Sequence, residues 1–579
     1  MDKILRSPLW IRLSLAAGLL LMLALFYAGT QTGFKMDDYI FLTRMQVAET
    51  PLSADTVHMY RFGPAAISTE VSSWPWWYAP DHKMEFFRPL TSLTLIGDYV
   101  LHGGKSLFYH LHSYAWFFAM AALWAVWTRR HLPLLQVLAS LFLLAGCLET
   151  FQALGWISNR HTLISMAFML GAFHGHIRWM ESGSRVALAL SLVFLLFGLA
   201  AGEAALAMAA YPVAHTLTMG SHTRRRRWLS LLPAAAVVLL WLTGYVLAGF
   251  GVSGSSGYLD PLSDPLTFLQ AAPLRLLVAL GALVGPLNYT IAGFGPEAGA
   301  LSGLLAALVL VLFGICLRDS RRGLDEQGRA LQNFLLLAGT LSLVPVLCGI
   351  PSSRNLLVAM PAASCLMVQV FSVLLRSKAG ETRRFSRVMA KVFIVLLFVL
   401  EPLVSWGFVQ GGAAHYEQAR RQQPHQFTGA LQEKTWFVLG AHDAGLMAYE
   451  PFRARFLNTG YPDHIHMLIP GGLETSIRRI GPHSLEFTAS GELFRSDYEL
   501  MSTTRQYLAG QDRFDQEDFK VTVTGRGETG MLQYRIDFHK DLDDPSLVFV
   551  NQTAEGYRPV VLPRTGRLII RGGQAVPAS

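Results

Sequence analysis

Residues 108–153 read FYHLHSYAWFFAMAALWAVWTRRHLPLLQVLASLFLLAGCLETFQA, two apolar runs hinged on Arg129 and Arg130. Each run is about 20 residues long, the length of helix that crosses the hydrocarbon core of a bilayer. The pattern recurs along the chain. Of the 579 residues 52% are hydrophobic and 15% charged, whereas a soluble globular chain is about a quarter charged. Burying this many apolar runs in one water-soluble core is not a credible alternative. Hydropathy predicts eleven spans, at 9–29, 108–128, 133–153, 161–178, 186–201, 204–220, 228–249, 299–317, 331–350, 355–375 and 388–408. The expected fold class is therefore a polytopic α-helical membrane protein with about 11 transmembrane helices. Lys3, Arg6 and Arg12 precede or enter the first apolar run, which is long and lacks an A-x-A site. It reads as an uncleaved helix and not as a signal peptide.

Charge gives the orientation. With the N-terminus inside, the cytoplasmic connections are the N-terminus, 129–132, 178–185, 221–227, 318–330 and 376–387. Counting Lys3 and Arg6, they hold 19 basic residues against 6 acidic, while the opposite-side loop 30–107 holds 6 basic and 8 acidic. That is the positive-inside bias of an inner (plasma) membrane protein with a cytoplasmic N-terminus. The net charge of +8 is not a nucleic-acid footprint, because residues 410–579 carry 18 Lys/Arg against 20 Asp/Glu. The excess lies at the ends of the spans, and no nucleic-acid partner is expected.

Two segments fit no simple span. The long outer loop 30–107 contains Trp74, Trp76, Trp77, Phe86 and Phe87, aromatics suited to the membrane–water boundary, so interfacial helices are expected there. Residues 265–292 are apolar but interrupted by Pro273, Arg275 and Pro286. They suit an outer-face helix or re-entrant hairpin, since a crossing there would put every later basic loop outside. The predicted transmembrane domain is 1–410. From 411 to 579 the composition changes, and the stretches 519–524, 531–538 and 567–571 have the short apolar patterning of half-buried strands. A β-rich (α+β) domain outside the membrane is expected. Cys147, Cys316, Cys348 and Cys365 all fall in or beside apolar runs, with neither disulfide nor metal spacing.

The sharpest chemical signal is Met36-Asp37-Asp38-Tyr39, just after the first span. Adjacent carboxylates at a low-dielectric boundary repel each other and need a cation, a donor or a catalytic reason. One of them could take a proton from an acceptor hydroxyl or amine; the structural alternative is a helix N-cap. At the far end of the same loop stands Glu85-Phe-Phe-Arg88-Pro89-Leu90, followed by Asp98, Lys105, His110 and His112. Arg88 could fork onto a lipid phosphate, or snorkel to the headgroups. His110 and His112, two residues apart, make a poor chelating pair. Three outer turns add Trp156-Ile-Ser-Asn159-Arg160-His161, Gly202-Glu203 and Pro351-Ser-Ser-Arg354-Asn355. Such residues are costly there unless they pair or face a polar cavity. Glu203 suits pairing with an Arg or His, or else a divalent cation. The topology puts Asp37, Asp38, Arg88, Arg160, Glu203 and Arg354 on one face.

The order of these features carries a resemblance. A two-acid motif in a long first outer loop, then FRPLTSLTLIGDYVLHGGKSLFYHLHSYAWF over 87–117, then W-x-x-x-R, G-E-A and P-S-S-R turns, is similar to the GT-C superfamily of glycosyltransferases. The likeness is strongest to bacterial protein-mannosyltransferase-like members and covers roughly residues 1–410. It implies a GT-C-like transmembrane domain and a sugar donor on polyprenyl (undecaprenyl or dolichyl) phosphate. It implies transfer to an unknown protein, lipid or glycan acceptor on the periplasmic face. Asp38 or Asp37 matches the base, with Asp38 preferred, while Arg88, Arg160 and Arg354 match the holders of the donor phosphate. Glu203, His161 and His110 are supporting candidates. No cofactor is expected beyond a divalent cation, Mg or Mn, if any metal is needed. The region after 410 has no MIR-type repeats, so the acceptor does not carry over. The rival readings are a transporter or flippase, and a non-catalytic scaffold. The absence of internal repeats and the gathering of charges at outer ends weigh against the first.

Overall fold

A computed structural model describes residues 24–63 except 25, 75–376 except 221, 222 and 262, 384–422, and 434–578 except 442, 443, 460, 463, 471, 472, 529, 554, 555, 572 and 573. All of the expected first span but its last turns, together with Trp74, lies outside the described residues.

Among the described residues five helices are long and apolar enough to cross a membrane, and the pair Leu134–Gly146 and Leu148–Leu154, bent by 58°, makes a sixth if it is one span. Shorter apolar helices at Arg185–Ala201 and Met360–Arg376 pack among them. The outward faces are apolar: Leu239, Leu240 and Leu247 are 63%, 76% and 82% exposed. Side chains of that kind in that number belong in lipid. The interior is aromatic and aliphatic, with Trp124, Trp127, Phe173, Tyr211 and Phe334 in edge and stacked contact.

The helix Pro265–Val284 satisfies the length and hydropathy of a crossing, yet its neighbours describe another path. A Cβ on Gly303 would meet Leu274, one on Gly281 would meet Ala306, and one on Gly285 would meet Val309. The helix therefore runs alongside Pro296–Ser320 in the same direction. On either side of it, Ser256 and Gly257 N–H groups donate to Leu500 O, and Gly293 O accepts from Asp497 N–H. Both flanks of one helix thus return to the same short segment of the C-terminal domain.

That domain holds a seven-stranded antiparallel sheet and a four-stranded mixed sheet. The stretches read as strands from sequence are strands Phe519–Arg526, Met531–Phe538 and Arg567–Arg571 of the larger sheet. The smaller sheet has parallel strands Thr435–Ala441 and His464–Met467 joined by the helix Ala444–Phe456. A third sheet, outside the domain, pairs Arg61–Phe62 with Lys83–Glu85 and Lys83–Glu85 with Gly251–Ser253.

One expectation is corrected. Trp76 and Trp77 are not at a lipid boundary. They are 1% and 7% exposed in the core of the C-terminal domain, and Trp76 Nε1 donates to Leu468 O at 3.1 Å. An indole is as much at home in a protein core that offers its N–H an acceptor as in a headgroup layer. Composition alone does not separate the two. The loop 75–79 thereby pins the domain to the helical part. All four cysteines are free.

Candidate active site

The acidic pair occupies the first turn of the helix Asp37–Val47. Its N-cap, Met36, has φ 44°, a left-handed conformation that costs a side chain with a Cβ and is kept only where surrounding contacts hold it. The positive end of the helix dipole favours both carboxylates, but they have different neighbours.

Asp38 is 2% exposed. Its Oδ2 accepts from Lys35 N–H at 2.9 Å, and its Oδ1 accepts from Ser158 N–H at 2.7 Å and from the Ser158 hydroxyl. Burial pushes its carboxyl up to about 7, against the pull of those donors. Asp38 ties the acidic turn to the Trp156–His161 turn and leaves little carboxylate surface for a substrate.

Asp37 is half-buried, and its neighbours are Tyr449, Arg354 and Arg88. Burial raises its pKa, while a hydrogen bond from the Tyr449 hydroxyl and the charges of Arg354 and Arg88 draw it down. Tyr449 comes from the helix Ala444–Phe456 of the C-terminal domain. That helix also leans on the acidic helix: Thr43 Oγ1 donates to Phe452 O at 2.9 Å.

Arg88 caps the helix Pro89–His102. Its Nε donates to Glu203 Oε2 at 2.7 Å, and its guanidinium lies 4.3 Å from the Phe86 ring centroid and 4.8 Å from that of Tyr60. Glu203 Oε1 accepts from the Tyr245 hydroxyl at 3.2 Å. Glu203 is thus the anchor that orients Arg88, the pairing role among those expected for it. Among the described residues only its Nε is engaged in a hydrogen bond, so the two Nη groups keep their donors.

Arg354 opens the turn after Pro351. Its backbone N–H donates to Gln152 Oε1 at 3.1 Å, and its guanidinium stacks 4.0 Å above the Trp156 ring. No hydrogen bond from that guanidinium joins it to another described residue. Asp37, Tyr258, Tyr449 and Tyr498 surround it electrostatically, and burial draws its pKa down. Five donors on a half-buried guanidinium, stacked on an indole and without a hydrogen-bond partner among the described residues, suit a phosphate or another multivalent oxyanion.

Two expected residues lie elsewhere or act differently, and a third joins the group. Arg160 is fully buried: its Nη1 donates to Asp98 at 2.5 Å, its Nη2 to Tyr109 O at 2.6 Å and its Nε to Ser113 Oγ at 3.0 Å. All three of its nitrogens serve the protein, so the structure offers no guanidinium edge to a donor phosphate. His110, also fully buried, contacts Gly33 O at 3.0 Å, Leu154 O at 3.3 Å and Thr32 Oγ1 at 3.3 Å, a structural arrangement. His161 does reach this group of side chains, 5.8 Å from Tyr60 ring to ring and within the fields of Arg88 and Arg354. Among the described residues no group of three or more His, Cys, Asp or Glu side chains could hold a metal ion.

The site therefore gathers Asp37, Arg88, Glu203, Arg354 and His161 from segments far apart in sequence. Sequence reading missed its tyrosines, Tyr258 and Tyr449. Tyr258 sits in a Gly/Ser loop and Tyr449 in a region read only for strands, and neither has a local signal.

No protein-family model matches the chain, and no curated protein is similar enough to match. Among solved structures it is similar to ArnT from Cupriavidus metallidurans bound to undecaprenyl phosphate, at 11% identity and a TM-score of 0.38, over 79% of this chain and 85% of that one. A likeness of that size carries no argument about what the chain does.

Proposed function

We propose that the chain is a membrane glycosyltransferase of GT-C type that moves a sugar from a polyprenyl-phosphate donor to an acceptor at the periplasmic face of a bacterial inner membrane. The observation that carries the reading is the grouping of these side chains. A half-buried carboxylate, Asp37, stands within the fields of two guanidinium groups with donors to spare, Arg88 and Arg354. A negatively charged leaving group and a proton to be removed are what that constellation serves. The order of the sequence motifs supports the same reading.

Asp37 takes the proton of the acceptor O–H or N–H. The freed electron pair attacks the anomeric carbon from the face opposite the phosphate. The bond from that carbon to the phosphate oxygen breaks, and its electrons leave with the polyprenyl phosphate, whose growing charge Arg88 and Arg354 stabilise. The configuration inverts. Polyprenyl phosphate is a good leaving group, so no separate acid is needed. Asp37 is preferred to Asp38 as base because Asp38 is already held by the Lys35 N–H and by the N–H and hydroxyl of Ser158. In this orientation the helix Pro265–Val284 is a re-entrant element dipping from the periplasmic side, and the C-terminal domain is periplasmic.

The test is binding of undecaprenyl phosphate to the full chain in nanodiscs. Arg354→Ala is expected to weaken it by about tenfold or more, the loss of one charge-assisted contact of roughly 1.5–3 kcal/mol. Unchanged affinity in Arg354→Ala and in Arg88→Ala would remove the phosphate site and the reading with it.

A further inference from the structure

Arg275 lies within the helix Pro265–Val284 and is only 6% exposed. A guanidinium so deep among apolar helices is costly unless its donors are filled. Its two Nη groups are filled by three separate parts of the chain. Nη1 donates to Leu347 O and Gly349 O, each at 2.9 Å. Nη2 donates to Gly257 O at 3.1 Å and to the Asp497 carboxylate at 2.8 Å.

What these parts have in common is their sequel. Gly257 is followed by Tyr258, Asp497 by Tyr498, and the bend at Leu347–Gly349 leads into the turn that ends on Arg354. Tyr258 and Tyr498 are two of the groups that lie close to the Arg354 guanidinium. Cross-links between the parts agree: Leu259 N–H donates to Cys348 O at 2.8 Å, and the Tyr498 hydroxyl donates to Pro351 O at 2.6 Å. The side chain of Arg275 hydrogen-bonds to all three.

We propose that Arg275, paired with Asp497, is a positioning residue that fixes the Arg354 guanidinium and its two tyrosines in register, and thereby couples docking of the C-terminal domain to the phosphate-binding half of the site. Arg275 itself never meets the ligand. Its planar fork addresses two carbonyls with one nitrogen and a carbonyl and a carboxylate with the other, which a lysine ammonium does not reproduce. The proposal rests on the reading of Arg354 as a phosphate holder, so its experiment has one arm that needs that reading and one that does not.

In the first arm, undecaprenyl phosphate binding is measured in nanodiscs for the wild type, Arg275→Met, Arg275→Lys, Asp497→Asn, Arg354→Ala and the double variant Arg275→Met/Arg354→Ala. Arg275→Met is expected to weaken binding about tenfold, with Arg275→Lys and Asp497→Asn in between. The double variant is expected to bind no worse than Arg354→Ala alone, because a residue that acts through another has nothing to add once that one is gone. Losses that add would mean a general structural role and would overturn the proposal. In the second arm, hydrogen exchange is followed in the ligand-free protein. Arg275→Met is expected to speed exchange at 255–260, 347–356 and 495–500 together while 160–182 is unchanged. Unchanged exchange at those three segments would overturn the positioning role. A wild type that fails to bind the lipid phosphate would overturn the functional reading, and the exchange arm would still decide the role of Arg275.

Discussion

At the scale of single residues the two neighbouring aspartates separate cleanly. Asp37→Asn removes the proposed base and leaves its surroundings in place. Transfer is expected to fall by about 10²–10⁴-fold, the usual worth of a positioned general base, with an unchanged thermal midpoint. Asp38→Asn turns an acceptor toward the Lys35 N–H into an amide donor, opposing donor to donor. It is expected to lower stability by about 1–3 kcal/mol and to reduce transfer only as far as folding suffers. Thermal unfolding and turnover measured on both variants check this; the reverse pattern would make Asp38 the base.

The same residue sets the pH response. A base works only when ionised, so turnover falls as pH drops through the pKa of Asp37. Burial raises that pKa above the ordinary 3.8, and the acid limb of the rate profile is therefore expected above pH 3.8. The Tyr449 hydroxyl stabilises the ionised form. Tyr449→Phe is accordingly expected to move the limb to higher pH. A limb that stays where it was would free Tyr449 from any part in the ionisation.

Arg160 shows what sequence cannot reveal at this scale. A guanidinium in an outer turn reads the same whether it meets a phosphate or a buried carboxylate. Only the tertiary placement of Asp98, Ser113 and the Tyr109 carbonyl decides that it braces the protein. Arg88, Glu203 and Arg354 were legible because their turns end apolar runs, where a charge is conspicuous.

At the scale of elements, the apolar runs, the basic turns and the strands Phe519–Arg526, Met531–Phe538 and Arg567–Arg571 were readable from periodicity. They depend on local pattern, and local pattern is what a sequence displays. The loop 75–79 was not readable, because its tryptophans answer to a core made of distant strands. Trp76 packs against Trp77, Phe514 and Tyr534 with ring centroids 5.2–5.4 Å apart. Trp76→Ala is expected to cost about 3–5 kcal/mol, falling on the C-terminal domain. Limited proteolysis should then cut within 434–578 while the helical part stays intact. Resistance equal to the wild type would show that the loop does not hold the domain.

At the scale of the whole molecule the C-terminal domain is part of the site. It supplies Tyr449 to Asp37 and Asp497 to Arg275, and it receives Trp76 and Trp77 from the long loop. The sequence marked this domain as separate because its composition changes at residue 411, and composition does not report contacts. Charge asymmetry and the motif order led to the expectation that Asp37, Arg88, Glu203 and Arg354 share one face, and the structure brings these four side chains together. The tyrosines that complete the site are visible only once the domain is docked.

The most direct test of glycosyl transfer through Asp37 is mass spectrometry of envelope glycans, lipids and proteins from a deletion strain complemented with the wild type or with Asp37→Asn. The account expects one species to lose the mass of a sugar on deletion, to regain it with the wild type and to remain without it in Asp37→Asn. Full recovery of that mass with Asp37→Asn, at equal protein level, would contradict the account.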